Sequence, residues 1–171
     1  MWKYDTGAEI SSSPAIFEDL VLIGSRSYDL VGLRASDGEP IWSYYYWSSW
    51  VESSATVRDG SVYIGSSDAQ SLYSLTAKTG QRQWEFDGGG SLWATPAVTD
   101  ATVFIGSVGV ADYIVDHQAT FWAVDRETGR PLWMFSMPRH DYLSMWGFAS
   151  SPAADAGHVF VGGLDGSLYA F

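Results

Sequence analysis

The chain has 171 residues, of which 46% are hydrophobic and 16% aromatic, so it can bury a core of ordinary size and is not a disordered tract. A formal charge of −11, from 20 acidic against 9 basic residues, argues against nucleic acid, because phosphate recognition needs clustered Lys and Arg. Cysteine is absent, which excludes disulfides and thiolate metal sites, and no run approaches the roughly 18 apolar residues that span a bilayer.

In chain order, the opening "MWKYDTGAEI" lacks a basic segment followed by an apolar one, so no signal peptide is expected in these residues and the compartment stays open. It carries a Trp-x-aromatic pair, Trp2/Tyr4. Pro14 follows, then "VLIG" ending at Gly24, then "LVGL", then the turn "SDGEPIW" with Gly38 and Trp42. The same series returns from Ala55 through "VYIG", "LYSL" and "KTGQRQW", with Gly65, Gly80 and Trp84. It returns again from Pro96 through "VFIG", "FWAV" and "ETGRPLW", with Gly106, Gly129 and Trp133. A last copy runs from Pro152 through "VFVG", ending at Gly162, to "LYAF". The anchor-to-glycine spacing is ten in each copy, and the turn-glycine-to-tryptophan spacing is four in all three turns.

Each unit of about 42 residues holds four short β-type runs, A to D, separated by Gly, Asp and Ser, with no sustained helical period. Four strands in roughly 40–50 residues is the signature of a β-propeller blade. The expected fold is all-β, with four-stranded antiparallel blades. Residues 1–171 then form a single repeat region: three complete repeats, partial repeats at both ends, about four blades, and sixteen strands in an arc of a larger propeller. Pro40 and Pro131 fall at the start of D, which suits an edge strand that has no neighbour to donate to. The "WKY" strand can in principle pair with "LYAF" to close a four-bladed ring. Left open, such edges favour self-association.

"WKYDTGAEISSSPAI", "AVDRETGRPLW" and "GGLDGSLYAF" resemble the pyrroloquinoline-quinone-type β-propeller repeat, whose members are BamB-like or quinoprotein-like. The resemblance implies that Trp42, Trp84 and Trp133, set by Gly38, Gly80 and Gly129, dock against the neighbouring blade. It also implies a periplasmic or extracellular setting. For chemistry it leaves two readings. One is a non-catalytic scaffold that presents a loop face to a protein, peptide or polysaccharide, with no cofactor. The alternative is part of a quinone-dependent dehydrogenase holding pyrroloquinoline quinone and calcium. The absent vicinal cysteines and the lack of a matching carboxylate motif favour the scaffold, and no catalytic residue is assigned.

The A–B and C–D connections are constant, whereas the others vary. From the B glycine to the turn glycine the spacing is 14, 15 and 23; from the D tryptophan to the next anchor it is 12, 13, 12 and 19. Successive hairpins alternate ends of a blade, so all variation falls on one face, which is the expected binding face. That face holds the aromatic connection with Tyr46, Trp47 and Trp50, whose rings either pack over the blade top or offer a contact surface. The B–C insertion carries Asp112, Tyr113, Asp116 and His117; the D–A insertion carries Arg139, His140, Asp141, Tyr142 and Trp146. The two insertions belong to consecutive blades and can meet across one groove. Glu52 and Trp93, each three residues before an anchor, are candidate liners of the central channel mouth.

Overall fold

The computed structural model describes residues 1–111, 117–139, 144–155 and 157–171, and among them it contains strands and turns but no helix. Blade 1 is the sheet β1 (Ala15–Phe17), β2 (Leu20–Gly24), β3 (Asp29–Arg34) and β4 (Pro40–Tyr45), paired in that order. Blade 2 repeats it with β5 (Thr56–Arg58), β6 (Ser61–Gly65), β7 (Ser71–Thr76) and β8 (Arg82–Asp87). In blade 3, β9 (Ala97–Val98) and β10 (Thr102–Gly106) are followed by a separate short strand, β11 (Val108–Val110), before β12 (Thr120–Asp125) and β13 (Pro131–Ser136) complete the sheet. After β14 (Met145–Gly147), blade 4 is the three-stranded sheet β15 (Ala153–Ala154), β16 (Val159–Gly162) and β17 (Leu168–Ala170). All pairings are antiparallel. This is an all-β propeller architecture.

Burial follows from stacking. The third strands β3 and β7 are covered on both faces, so they read as nearly continuous apolar runs rather than alternating ones. The outer strands β4, β8 and β13 are mostly exposed. Three apolar clusters fill the three joints between blades. Leu22, Leu30, Val62 and Leu75 lie in the first, Leu72, Leu92 and Ile105 in the second, and Phe121, Phe148 and Val161 in the third. In every complete blade a register shift falls at the same place, between Gly32 and Leu33, Ser74 and Leu75, and Ala123 and Val124. The extra residue on the outer strand is Ile41, Gln83 or Leu132, directly before the tryptophan. Such a bulge bends the strand and re-aims the next side chain.

The re-aimed indoles reach the next blade. Trp42 lies over Gly80 and donates to the Ala77 carbonyl at 3.1 Å; Trp84 lies over Gly129 and donates to the Arg126 carbonyl at 3.0 Å. Both glycines have positive φ, +68° and +70°, so the turn needs glycine for its backbone as well as for the ring above it. Trp133 has no such turn. It packs on Phe104 and Phe171 and stays 39% exposed.

The N-terminal copy differs from expectation. Residues 1–14 form no strand, because a β-ladder needs a neighbour and no third strand lies beside them. Trp2 nevertheless sits over Gly38 and donates to the Ala35 carbonyl at 2.9 Å, repeating the geometry of Trp42 and Trp84. No hydrogen bond among the described residues joins Trp2–Tyr4 to β17, so the four blades stand as an open arc. Among the described residues the blade strands number fifteen, against the sixteen expected, and two further strands, β11 and β14, lie in the insertions.

Candidate functional site

Backbone and ion-pair contacts separate the two ends of the blades. On one, A–B and C–D turns meet: Ala35 N–H donates to Asp19, Ala77 to Gly60 and Arg126 to Ala101. Arg126 also pairs with Asp59 at 2.6 Å and Arg58 with Asp100, tying blades 2 and 3 together. The opposite end is built by the B–C and D–A connections and carries the candidate site.

The aromatic stretch divides by parity. Trp42, Tyr44 and Tyr46 share the inward face of β4 and its extension. Tyr46 is fully buried in the first joint, 4.8 Å from Tyr73 and 5.0 Å from Tyr44 between ring centres. It therefore offers no contact surface, contrary to its candidacy from sequence. Tyr45 and Trp47 take the outward face, where Trp47 is 83% exposed. Tyr28, Tyr45 and Trp47 form an edge-to-face chain with spacings of 6.4 and 5.9 Å. Tyr28, Trp47 and Ser48 all hold positive φ, at +73°, +48° and +68°. A non-glycine residue in that region costs on the order of 1–3 kcal/mol and is found at ligand clamps.

Trp50 is held differently. The Arg26 guanidinium lies 4.5 Å over its ring and bonds Glu52 Oε1 from Nε and Nη2 at 3.0 and 2.6 Å, with Nη1 bonding Glu9 Oε2 at 2.7 Å. Hydrogen bonding to Glu52, above all, raises the Arg26 pKa further, so this cation is permanent. Glu52 and Trp93 play equivalent parts: each binds the B–C connection of the preceding blade, Glu52 through Arg26 and Trp93 through Ser67 Oγ at 3.0 Å.

The two insertions meet. β11 and β14 form an antiparallel ribbon with Gly109 opposite Trp146. A side chain at Gly109 would collide with the Trp146 indole, so the glycine leaves the space that buries it to 6%. Arg139 lies 5.3 Å from that ring. Trp146 is thus core and not a contact residue. His117 is 9% exposed, and burial pulls its pKa below the ordinary value against the opposing pull of Asp68. Asp112, Tyr113, Asp116, His140, Asp141 and Tyr142 lie outside the described residues.

Sequence reasoning missed the Arg26 bridge and Tyr28. Trp47 was legible as a ring of the aromatic connection, and the structure places it on the exposed side. A titration follows from the buried cluster. Burial lifts Tyr46 well above the ordinary tyrosine range and pushes Tyr73 up to about 12. Their folded pKa values exceed the unfolded one, so their contribution is intact below about pH 10 and is lost as pH rises toward 12. Phenolate absorbance is expected to show these two tyrosines ionising late, together with loss of the fold; their ionisation by pH 10.5 in folded protein would contradict the burial.

The model of the family described as outer membrane protein assembly factor BamB matches residues 1–120. The serine/threonine-protein kinase AfsK of Streptomyces griseus is 30% identical over 160 residues, covering 88% of this chain and 18% of that protein. The quinohemoprotein alcohol dehydrogenase ADH-IIG of Pseudomonas putida is 29% identical over 150 residues, covering 78% of this chain and 20% of that protein. The chain therefore spans about a fifth of the length of each of these curated relatives. The crystal structure of BamB from Moraxella catarrhalis superposes with a TM-score of 0.73 at 23% identity, covering 99% of this chain and 48% of that one, which shows the shared fold. With the blades, the tryptophan turns and the matched residues in agreement, this chain belongs to the BamB family of pyrroloquinoline-quinone-type β-propeller repeats.

Proposed function

We propose that the chain is a non-catalytic propeller scaffold that binds a protein or peptide, or a polysaccharide, through its B–C/D–A face. The observation that carries this reading is the Tyr28–Tyr45–Trp47 chain of rings, half-buried at Tyr28 and exposed at Tyr45 and Trp47, with positive φ at Tyr28, Trp47 and Ser48. Tyr and Trp supply large contact area at low entropy cost, which suits an exposed aromatic patch to recognition. The family description as an outer membrane protein assembly factor supports a protein partner and a periplasmic setting.

The test is a pull-down with two variants. Tyr45→Ala with Trp47→Ala is expected to lose partners that the wild type retains. Lys78→Ala with Arg82→Ala, on and beside an opposite-face turn, is expected to keep them. The reverse outcome would assign binding to the wrong face.

The resemblance to a quinohemoprotein dehydrogenase supports a second reading, with pyrroloquinoline quinone and calcium held at the channel. Among the described residues no group of three or more His, Asp or Glu is placed to hold a metal, and Glu52 is engaged by Arg26. The residues described do not fit that ion, and no catalytic step is derived through it. Calorimetric titration with the quinone and calcium separates the readings, since stoichiometric binding is expected only under the second.

A further inference from the structure

The second joint, between blades 2 and 3, departs from the first at the end where the A–B and C–D turns meet. In the first joint Phe17, Leu20, Leu22 and, from the next blade, Ala77 pack in one apolar cluster. The residues at the same repeat positions of the second joint are Arg58, Ser61, Tyr63 and Arg126. The bulge residue of the outer strand changes in the same sense, from Ile41 to Gln83. Ala77 and Arg126 are equivalent by structure too, since each carbonyl accepts the indole N–H of the preceding blade.

Where these replacements meet, a recess of about 290 Å³ opens, walled also by Asp59 and Glu127. Ion pairing accounts for part of the polar set. Arg126 is taken by Asp59 at 2.6 Å and Arg58 by Asp100. The rest has no such partner. Ser74 donates to Gln83 Oε1 at 2.7 Å, which leaves the amide NH2 unused. Among the described residues no hydrogen bond reaches the hydroxyl of Ser61 or of Tyr63. Tyr63 is only 3% exposed, and its ring belongs to the apolar cluster of the joint, so its hydroxyl is what it presents to the recess. Burying a hydroxyl without a partner is a cost that phenylalanine would avoid at the same position.

Charge then selects the ligand. Two guanidinium groups, Arg58 and Arg126, and two carboxylates, Asp59 and Glu127, line the recess, so its formal charge is zero. An ionic ligand would meet one repulsion for each attraction. The unused groups are two hydroxyls and an amide donor beside the Glu127 carboxylate. A polyhydroxylated ring answers that mixture, because each of its hydroxyls both donates and accepts. We infer that the recess between blades 2 and 3 binds a neutral sugar, with Tyr63, Ser61 and Gln83 bonding its hydroxyls. Its volume lies at the lower end for small-molecule sites, which suits one ring rather than an oligosaccharide. The site is on the opposite end of the blades from the proposed partner face and does not depend on it.

The test is ligand-observed NMR on the 171-residue chain, with glucose, galactose, mannose and N-acetylglucosamine as probes and inorganic phosphate as an anionic competitor. At least one sugar is expected to bind with a dissociation constant on the order of 1 mM, and phosphate is expected not to displace it. Tyr63→Phe removes only the unused hydroxyl. It is expected to leave the urea midpoint unchanged or higher while weakening the sugar roughly tenfold. Ser61→Leu puts the residue of the first joint into the recess and is expected to abolish binding with the circular dichroism spectrum unchanged. Ser61→Ala, expected to weaken binding, replaces it if leucine perturbs the fold. Lys78→Ala, in the turn of the first joint, is expected to bind as the wild type does. Binding of none of the four sugars, binding that the Tyr63 and Ser61 substitutions leave intact, or displacement by phosphate would each overturn the inference.

Discussion

Gly65→Ala is expected to destabilise the chain by about 2–3 kcal/mol, whereas Gly162→Ala at the same repeat position is expected to shift stability by less than about 0.5 kcal/mol. The reason is what lies above each glycine. At Gly65 a Cβ would collide with the Leu92 carbonyl and Cβ, which belong to the backbone of the next blade and cannot rotate away. Relief would require opening the second joint, where Leu72, Leu92 and Ile105 are fully buried. Alanine also restricts the unfolded chain, which offsets the loss by only about 0.4–1 kcal/mol. At Gly162 the nearest atom is Ser150 Oγ at 3.2 Å, a small side chain that can yield a few tenths of an ångström. Denaturant midpoints of the two variants check the contrast. Equal losses at the two sites would mean that backbone conformation, and not the neighbouring blade, demands glycine there.

Trp84→Ala is expected to cost about 3 kcal/mol, the low end of the range for buried aromatics because the indole is only partly covered. The substitution removes the ring over Gly129, the hydrogen bond to Arg126 and the contact with Tyr63 at 5.9 Å together. Trp133→Ala should cost less, since its ring meets no glycine turn and is 39% exposed. Trp47→Ala should cost under about 1 kcal/mol, because its ring is almost free of the core and its positive φ favours a smaller residue no less. A urea series on the three variants, with unchanged slopes, checks the order. Comparable losses at Trp47 and Trp84 would place the outer ring in the core.

The blades were legible because their turn chemistry is repeated: one glycine in the left-handed region, then a tryptophan four residues later, three times over. A β-propeller reading needed nothing beyond that spacing and the absence of a helical period. Tyr46 was left open between core and contact surface although the signal was present, since strict alternation from Trp42 through Tyr44 puts it on the buried side. The ribbon escaped notice for a different reason. "VGV" and "MWG" are each three residues long, and their pairing joins positions far apart in the chain, so no local pattern announces it. The Arg26 bridge is likewise non-local: its two acids lie 17 residues before it and 26 after it. The repeat makes blade-to-blade contacts readable from one sequence, while contacts between its irregular parts follow no period.

The β11–β14 ribbon bears on how such a chain changes over generations. Each insertion supplies one strand of a two-stranded ladder, and Gly109 leaves room for a ring that only the other insertion brings. Losing either alone would strand an unpaired edge, and losing the first would also bare the Trp146 indole. The two extra lengths, 37 residues apart at Gly109 and Trp146, are therefore a single heritable unit: descendants should keep both or discard both, and a duplication that copied only one of the two blades would carry half a ribbon.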